Sequence, residues 1–150
     1  MLRFESTGKV GVGSTRKILA ECAAIRRPWW RGPVGFETEE AEFPQVLVGR
    51  APLFHPSGIP EEDDLLMALS DAAFVLARLE DWASRFGVKW QVQMHDERWG
   101  SIDPTGCSKE LLDQMNKWAR RCGVPARPRG GWAVPASREN EVRARYPGRR

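Results

Sequence analysis

The segment 61–85 constrains the fold more than any other part of the chain, because it predicts one long helix with a broad apolar face. Carboxylates at positions 61–64 complement the positive end of the helix dipole. Gly87 then supplies a residue at which helices commonly end. Other helices or strands must cover so wide an apolar face, so we expect this helix at the centre of the core. Its apolar stripe comprises Leu65, Leu69, Ala72, Leu76, Leu79 and Ala83, widened by Leu66, Ala73 and Phe74.

Alternation of apolar and polar residues predicts the strands that cover this helix. The strongest signal lies at 88–94, and 99–102 follows it as a hairpin partner. Residues 34–38 and 45–49 predict a second hairpin, and 2–5 a short first strand.

A second helix is expected between the first strand and the first hairpin. Ser14 or Thr15 caps it, because a side-chain oxygen there accepts hydrogen bonds from backbone N–H groups that lack helical partners. The helix runs to Arg27, since Pro28 cannot continue it. Its apolar positions are Ile18, Cys22 and Ile25, with Leu19 and Ala23 beside them.

A third helix follows the second hairpin. Ser108 caps it, it runs to about Cys122, and Gly123 ends it. The order of elements predicts an α+β fold, a single domain with a mainly antiparallel sheet built from two hairpins and three helices packed on it.

The last part of the chain differs in composition from the rest. Residues 1–123 are expected to form the globular domain, and residues 124–150 a basic tail rich in proline and arginine. Few apolar residues in the tail predict irregular structure. Trp132 and Val134 are the residues expected to dock part of it.

The net charge of +3 conceals strong segregation. Residues 1–31 carry seven Lys or Arg against two Asp or Glu, and residues 117–150 carry ten against two. Residues 37–81 carry two against eleven. Such blocks are typical of solvated surfaces and of surfaces that meet a charged partner.

Several classes of protein are disfavoured by the sequence. The chain lacks an apolar run of membrane-helix length and an N-terminal signal segment, so we expect no membrane partner and a cytoplasmic location. Its three cysteines have no metal-binding spacing and are expected as free thiols. Residues 8–13 keep the glycine spacing of a phosphate-binding loop, but Ser14 stands where that loop needs lysine. We therefore expect no cofactor and no metal.

A short segment of arginine and tryptophan is the strongest candidate for a contact surface. Arg26, Arg27, Trp29, Trp30 and Arg31 lie together where regular periodicity stops. Adjacent side chains diverge on a strand or a helix, so two neighbouring indoles can hardly reach one core. At least one ring is therefore expected at the surface.

Two further tryptophans, Trp99 and Trp132, fall at a turn edge and in the tail. They are expected to contribute to the same kind of surface, since interface centres are enriched in tryptophan and arginine. Trp82, Trp90 and Trp118 lie on or beside the core stripes and are expected to pack inside.

These observations favour a non-enzymatic protein that binds another protein, of the inhibitor, immunity or adaptor type. The small α+β layout is compatible with such proteins, although one layout serves many functions. Binding of single-stranded nucleic acid is one alternative, since guanidinium groups neutralise phosphates and indoles stack on bases.

A cysteine-dependent enzyme is the other alternative. Cys107 precedes a helix whose dipole can lower the pKa of a thiol. His95 or His55 would then act as the base, and Asp96 or Asp103 would orient it.

Overall fold

One antiparallel sheet is the framework of the structure. The computed structural model describes residues 1–8, 10–25, 27, 35–37, 46–51, 53, 61–125, 132 and 134–145. Within those residues the strands are β1 (Leu2–Ser6), β2 (Gly35–Glu37), β3 (Val48–Ala51), β4 (Trp90–Met94), β5 (Glu97–Asp103) and β6 (Gly106–Cys107). Their order across the sheet is β2-β3-β1-β4-β5-β6. This architecture confirms the predicted α+β fold with a mainly antiparallel sheet.

The same part of the chain contains the helices α1 (Val12–Ala24), α2 (Glu61–Phe86), α3 (Lys109–Arg121) and α4 (Ala136–Arg145). The long helix α2 confirms the strongest prediction, and it ends where Gly87 adopts a φ of +68°. Leu69, Leu76 and Leu79 on its apolar stripe are buried. The described helices include none that is long and apolar enough to cross a membrane.

Both predicted hairpins are present, but with shifted limits. Strand β3 begins at Val48, whereas the sequence predicted a strand at 45–49. The shift follows from pairing with β1, in which Ala51 lies opposite Leu2. Just before β3, Leu47 is buried and its carbonyl accepts a hydrogen bond from the backbone N–H of Ser6 at 2.8 Å.

The turn between β4 and β5 is tighter than predicted. His95 and Asp96 both have positive φ, at 49° and 66°, which is the conformation of a two-residue type I′ hairpin turn. Strand β5 therefore resumes at Glu97 and not at Trp99.

Helix α1 begins earlier and ends sooner than predicted. Gly11 occupies its N-cap without a side-chain hydrogen bond, so neither Ser14 nor Thr15 caps it. The helix stops at Ala24, and Arg27 lies beyond it. Its predicted apolar positions Ile18, Cys22 and Ile25 are all buried, as expected.

The start of α3 is fixed by one hydroxyl group. Ser108 Oγ accepts from the backbone N–H of Leu111 at 3.3 Å, which confirms the predicted cap. The same oxygen accepts from the backbone N–H of Ser101 in β5 at 3.0 Å. Gly100 permits this contact, because an added Cβ would lie 2.7 Å from the backbone nitrogen of Leu111. Gly123, with a φ of +67°, follows the helix as predicted.

Helix α4 corrects the prediction of an irregular tail and of three helices. The apolar pattern of α4 is weak, because Val142 is the one residue that the helix buries. Polar contacts attach α4 to α2, including hydrogen bonds from Arg145 Nη1 to Asp63 Oδ1 at 3.0 Å and Oδ2 at 3.1 Å. A search for apolar periodicity does not detect a helix that is docked in this way.

Candidate functional site

Four of the predicted contact residues lie outside the described residues: Arg26, Trp29, Trp30 and Arg31. Their role at a surface stays a prediction. Arg27, Trp99 and Trp132 are described, and the structure gives each a different environment.

Arg27 belongs to an internal polar network. Its Nε lies 3.4 Å from Oδ1 of the fully buried Asp71, and its Nη2 donates to Ser70 Oγ at 2.6 Å and to Glu139 Oε1 at 3.2 Å. Its guanidinium also lies 4.9 Å from the centre of the Phe74 ring. Arg27 thereby joins the segment after α1 to helices α2 and α4. These contacts give Arg27 a structural role, and its predicted contact with a partner stays a prediction.

Trp132 is buried, with 3% of its surface exposed. Its indole Nε1 donates to Asn116 Oδ1 on α3 at 2.6 Å. The predicted docking of the tail by this residue is therefore observed. Its ring is not presented to solvent, so its proposed role as a surface contact has no support in this geometry.

Trp99 lies at an irregularity in strand β5. Val92 pairs with Gly100 and the next residue, Gln93, pairs with Arg98, so Trp99 is an extra residue without a partner of its own in β4. Such a β-bulge changes the direction of a side chain. Trp99 is half-buried.

The Trp99 ring contacts Trp118 of helix α3. Their centres are 5.9 Å apart and their planes are at 83°, an edge-to-face arrangement. The indole Nε1 of Trp118 donates to the Leu65 carbonyl at 3.1 Å, which fixes the ring against the start of α2. Trp118 packs against the core, as the sequence predicted, but it remains half-buried.

These two rings line a groove between α2, α3 and the β4–β5 hairpin, which we call the tryptophan groove. Its volume is about 290 Å³. The groove is lined by Leu65, Met94, His95, Trp99, Gln114, Lys117, Trp118 and Arg121.

The rim of the tryptophan groove is polar and basic. Gln114, Lys117 and Arg121 are exposed and recur at the spacing of one helical face. His95, in the turn between β4 and β5, also lines the groove. Lys117 and Arg121 were not predicted as contact residues, although Gln114, Lys117 and Arg121 recur at the spacing of one helical face.

Cys107 has an environment that opposes nucleophilic chemistry. Burial raises the pKa of its thiol, and the hydrogen bond from Sγ to Glu80 Oε1 at 2.8 Å and the charge of Glu80 raise it further. A reactive thiol needs a lowered pKa.

The proposed histidine bases are also unfavourable. His55 lies outside the described residues. His95 lies next to Met94, at one end of β4. Cys107 lies level with the other end, because it pairs with Ile102, which in turn pairs with Trp90. At about 3.3 Å per residue these two ends are roughly 13 Å apart along the strand, too far for His95 to accept a proton from Cys107 directly.

The glycine-rich connection after β1 lies in an antiparallel setting, since both neighbours of β1 run against it. A nucleotide-binding loop of the type considered above follows a strand of a parallel sheet. Within the described residues, acidic, histidine and cysteine side chains do not gather as potential metal ligands.

Comparisons with protein-family models, curated proteins and solved structures found no match to this chain.

Proposed function

We propose that this chain is a non-enzymatic protein-binding domain, of the inhibitor, immunity or adaptor type, that engages its partner through the tryptophan groove. The observation that carries the proposal is the half-buried Trp99, which a β-bulge places against Trp118 beneath an exposed polar rim. Trp29 and Trp30, with Arg26 and Arg31, are proposed as a further part of the contact.

The groove has the composition of an interface centre. Partly exposed tryptophan side chains offer a large apolar area with little conformational freedom to lose, and a few such residues dominate the affinity of many interfaces. Trp118 is held in place by its bond to Leu65. A partner side chain inserted between the rings and the rim would therefore meet a preorganised surface.

The charges around the groove favour a protein over a nucleic acid. Lys117 and Arg121 are basic, but the exposed Glu62 lies one helical turn before Leu65 of the groove and brings negative charge near its α2 side. A polyanion would be repelled there, whereas a protein surface can present both signs of charge.

The test is affinity capture from the native host with matched variants. Arg120→Glu and Arg121→Glu make the same charge change in the last turn of α3, but Arg121 lines the groove and Arg120 does not. We expect one partner protein to co-purify with the wild type and with Arg120→Glu, and to be lost with Arg121→Glu and Trp99→Ala.

Two outcomes would contradict the proposal. Retention of the same partner by all variants would show that the groove is not the interface. Recovery of nucleic acid, released by moderate salt, would favour the nucleic-acid alternative. Trp29→Ala with Trp30→Ala tests the second part of the contact separately.

A further inference from the structure

The open face of the sheet carries a row of arginines, which we call the arginine row. The register places Arg50 of β3 opposite Arg3 of β1, Arg3 opposite Gln93 of β4, and Gln93 opposite Arg98 of β5. These four residues share one face, because paired residues on neighbouring strands point the same way. Strand spacing of about 4.8 Å sets the Cα atoms at the two ends of the row roughly 14 Å apart.

The row lies opposite the core. Leu2 and Phe4 of β1, and Val92 and Met94 of β4, are buried on the other face. Arg50 and Arg98 are exposed, and the Arg3 side chain is 31% exposed.

The register brings two of the like charges directly opposite each other, since Arg3 lies opposite Arg50. Such pairs on one face weaken strand pairing. Glu5 lies 3.3 Å from Arg3 Nη1 and offsets one positive charge. Arg3 Nη1 also donates to Gln93 Oε1 at 3.4 Å, which aligns it with the row.

Hydrogen-bonding groups accompany the charges. A shallow depression of about 300 Å³ lies beside the row and is lined in part by Arg3, Glu5, Gln91 and Gln93. Arginine presents several N–H donors that match carboxylate oxygens, and glutamine supplies further donors.

We propose that the arginine row is a second interaction surface, separate from the tryptophan groove, and that it binds an acidic segment of a partner protein. Among the described residues of this face, none offers an aromatic ring. Single-stranded nucleic acids are typically bound on aromatic stacking platforms. Carboxylates need no such platform, so an acidic protein segment fits the surface better.

The test uses a dodecapeptide of alternating glutamate and serine as the probe, added to the full chain at low salt. The side-chain amide signals of Gln91 and Gln93 report binding by nuclear magnetic resonance. We expect them to shift. We also expect affinity to fall roughly fivefold in Arg50→Gln with Arg98→Gln, since each exposed charge contributes a fraction of a tenfold change.

The matched control is Arg16→Gln with Arg120→Gln. It removes the same charge from exposed positions on α1 and α3 and should leave the affinity unchanged. The indole signal of Trp99 monitors the groove independently, so failure at the sheet does not decide the proposed function.

Three results would overturn the inference. The first is that the side-chain amide signals of Gln91 and Gln93 do not shift at millimolar peptide, and the second is that both double variants weaken binding equally. The third is that an oligothymidylate of the same length binds this face more tightly than the peptide. The last result would assign the row to nucleic acid.

Discussion

The helix-covered face and the open face of the sheet arise from the same strands, yet they use arginine in opposite ways. On the covered side, Arg27 contacts the buried Asp71 and bonds to Ser70 and Glu139. On the open side, Arg50 and Arg98 are exposed at the ends of a row. An arginine that the sequence indicates as a partner contact can therefore also link helices inside the fold, as Arg27 does.

Identical substitutions on the two sides test this difference most strongly. We expect Arg27→Ala to lower the free energy of unfolding by about 3 kcal/mol or more, because it leaves the buried carboxylate of Asp71 without this partner. Arg98→Ala should change it by less than about 0.5 kcal/mol. Urea denaturation measures the free energy of unfolding of both variants. Equal losses would show that the two arginines do not differ in their contribution to stability.

A pair of glycines in and beside β5 tests whether the covered side is as tightly packed as described. We expect Gly100→Ala to destabilise the fold by about 3 kcal/mol, because the new Cβ would meet the start of α3 and the φ of +149° is strained.

Gly106→Ala is the control for strain alone. Its φ is +123°, but the space around it is open, so a loss of only about 1 kcal/mol is expected. If the two variants melt alike, the close approach of α3 to β5 is not a source of stability.

Cys107 gives the smallest test of the covered side. Because the thiol pKa is raised in the folded state, the contribution of Cys107 to stability is complete below the unfolded pKa of about 8.5 and is lost progressively as the pH rises from there to the folded value. Iodoacetamide should therefore label Cys107 far more slowly in the folded protein than in urea.

The matching stability measurement compares wild type with Cys107→Ala at pH 7.5 and 9.5. The wild type should lose more stability over this interval, by up to about 1.4 kcal/mol. Rapid labelling of the folded protein at neutral pH would show an accessible thiolate and revive the cysteine-enzyme alternative.

Local signals in the sequence predicted the elements that depend on local physics. The stripe of α2, the alternation of β4, the cap at Ser108 and the end at Gly123 are all present. Each is determined by residues within a few positions of one another.

Long-range contacts determine what the sequence did not reveal. Helix α4 is held by Arg145 and Asp63, which are 82 positions apart. The tryptophan groove requires α3 to lie beside the β4–β5 hairpin, and the arginine row requires the register of four strands. Neither composition nor periodicity contains that information.

The bulge at Trp99 makes the sheet and the groove separable. The pairs on either side of it, Arg98 with Gln93 and Gly100 with Val92, would follow one another directly if residue 99 were absent. Deletion of residue 99 would therefore remove one of the two indole rings of the groove and leave the pairing of β4 with β5 complete.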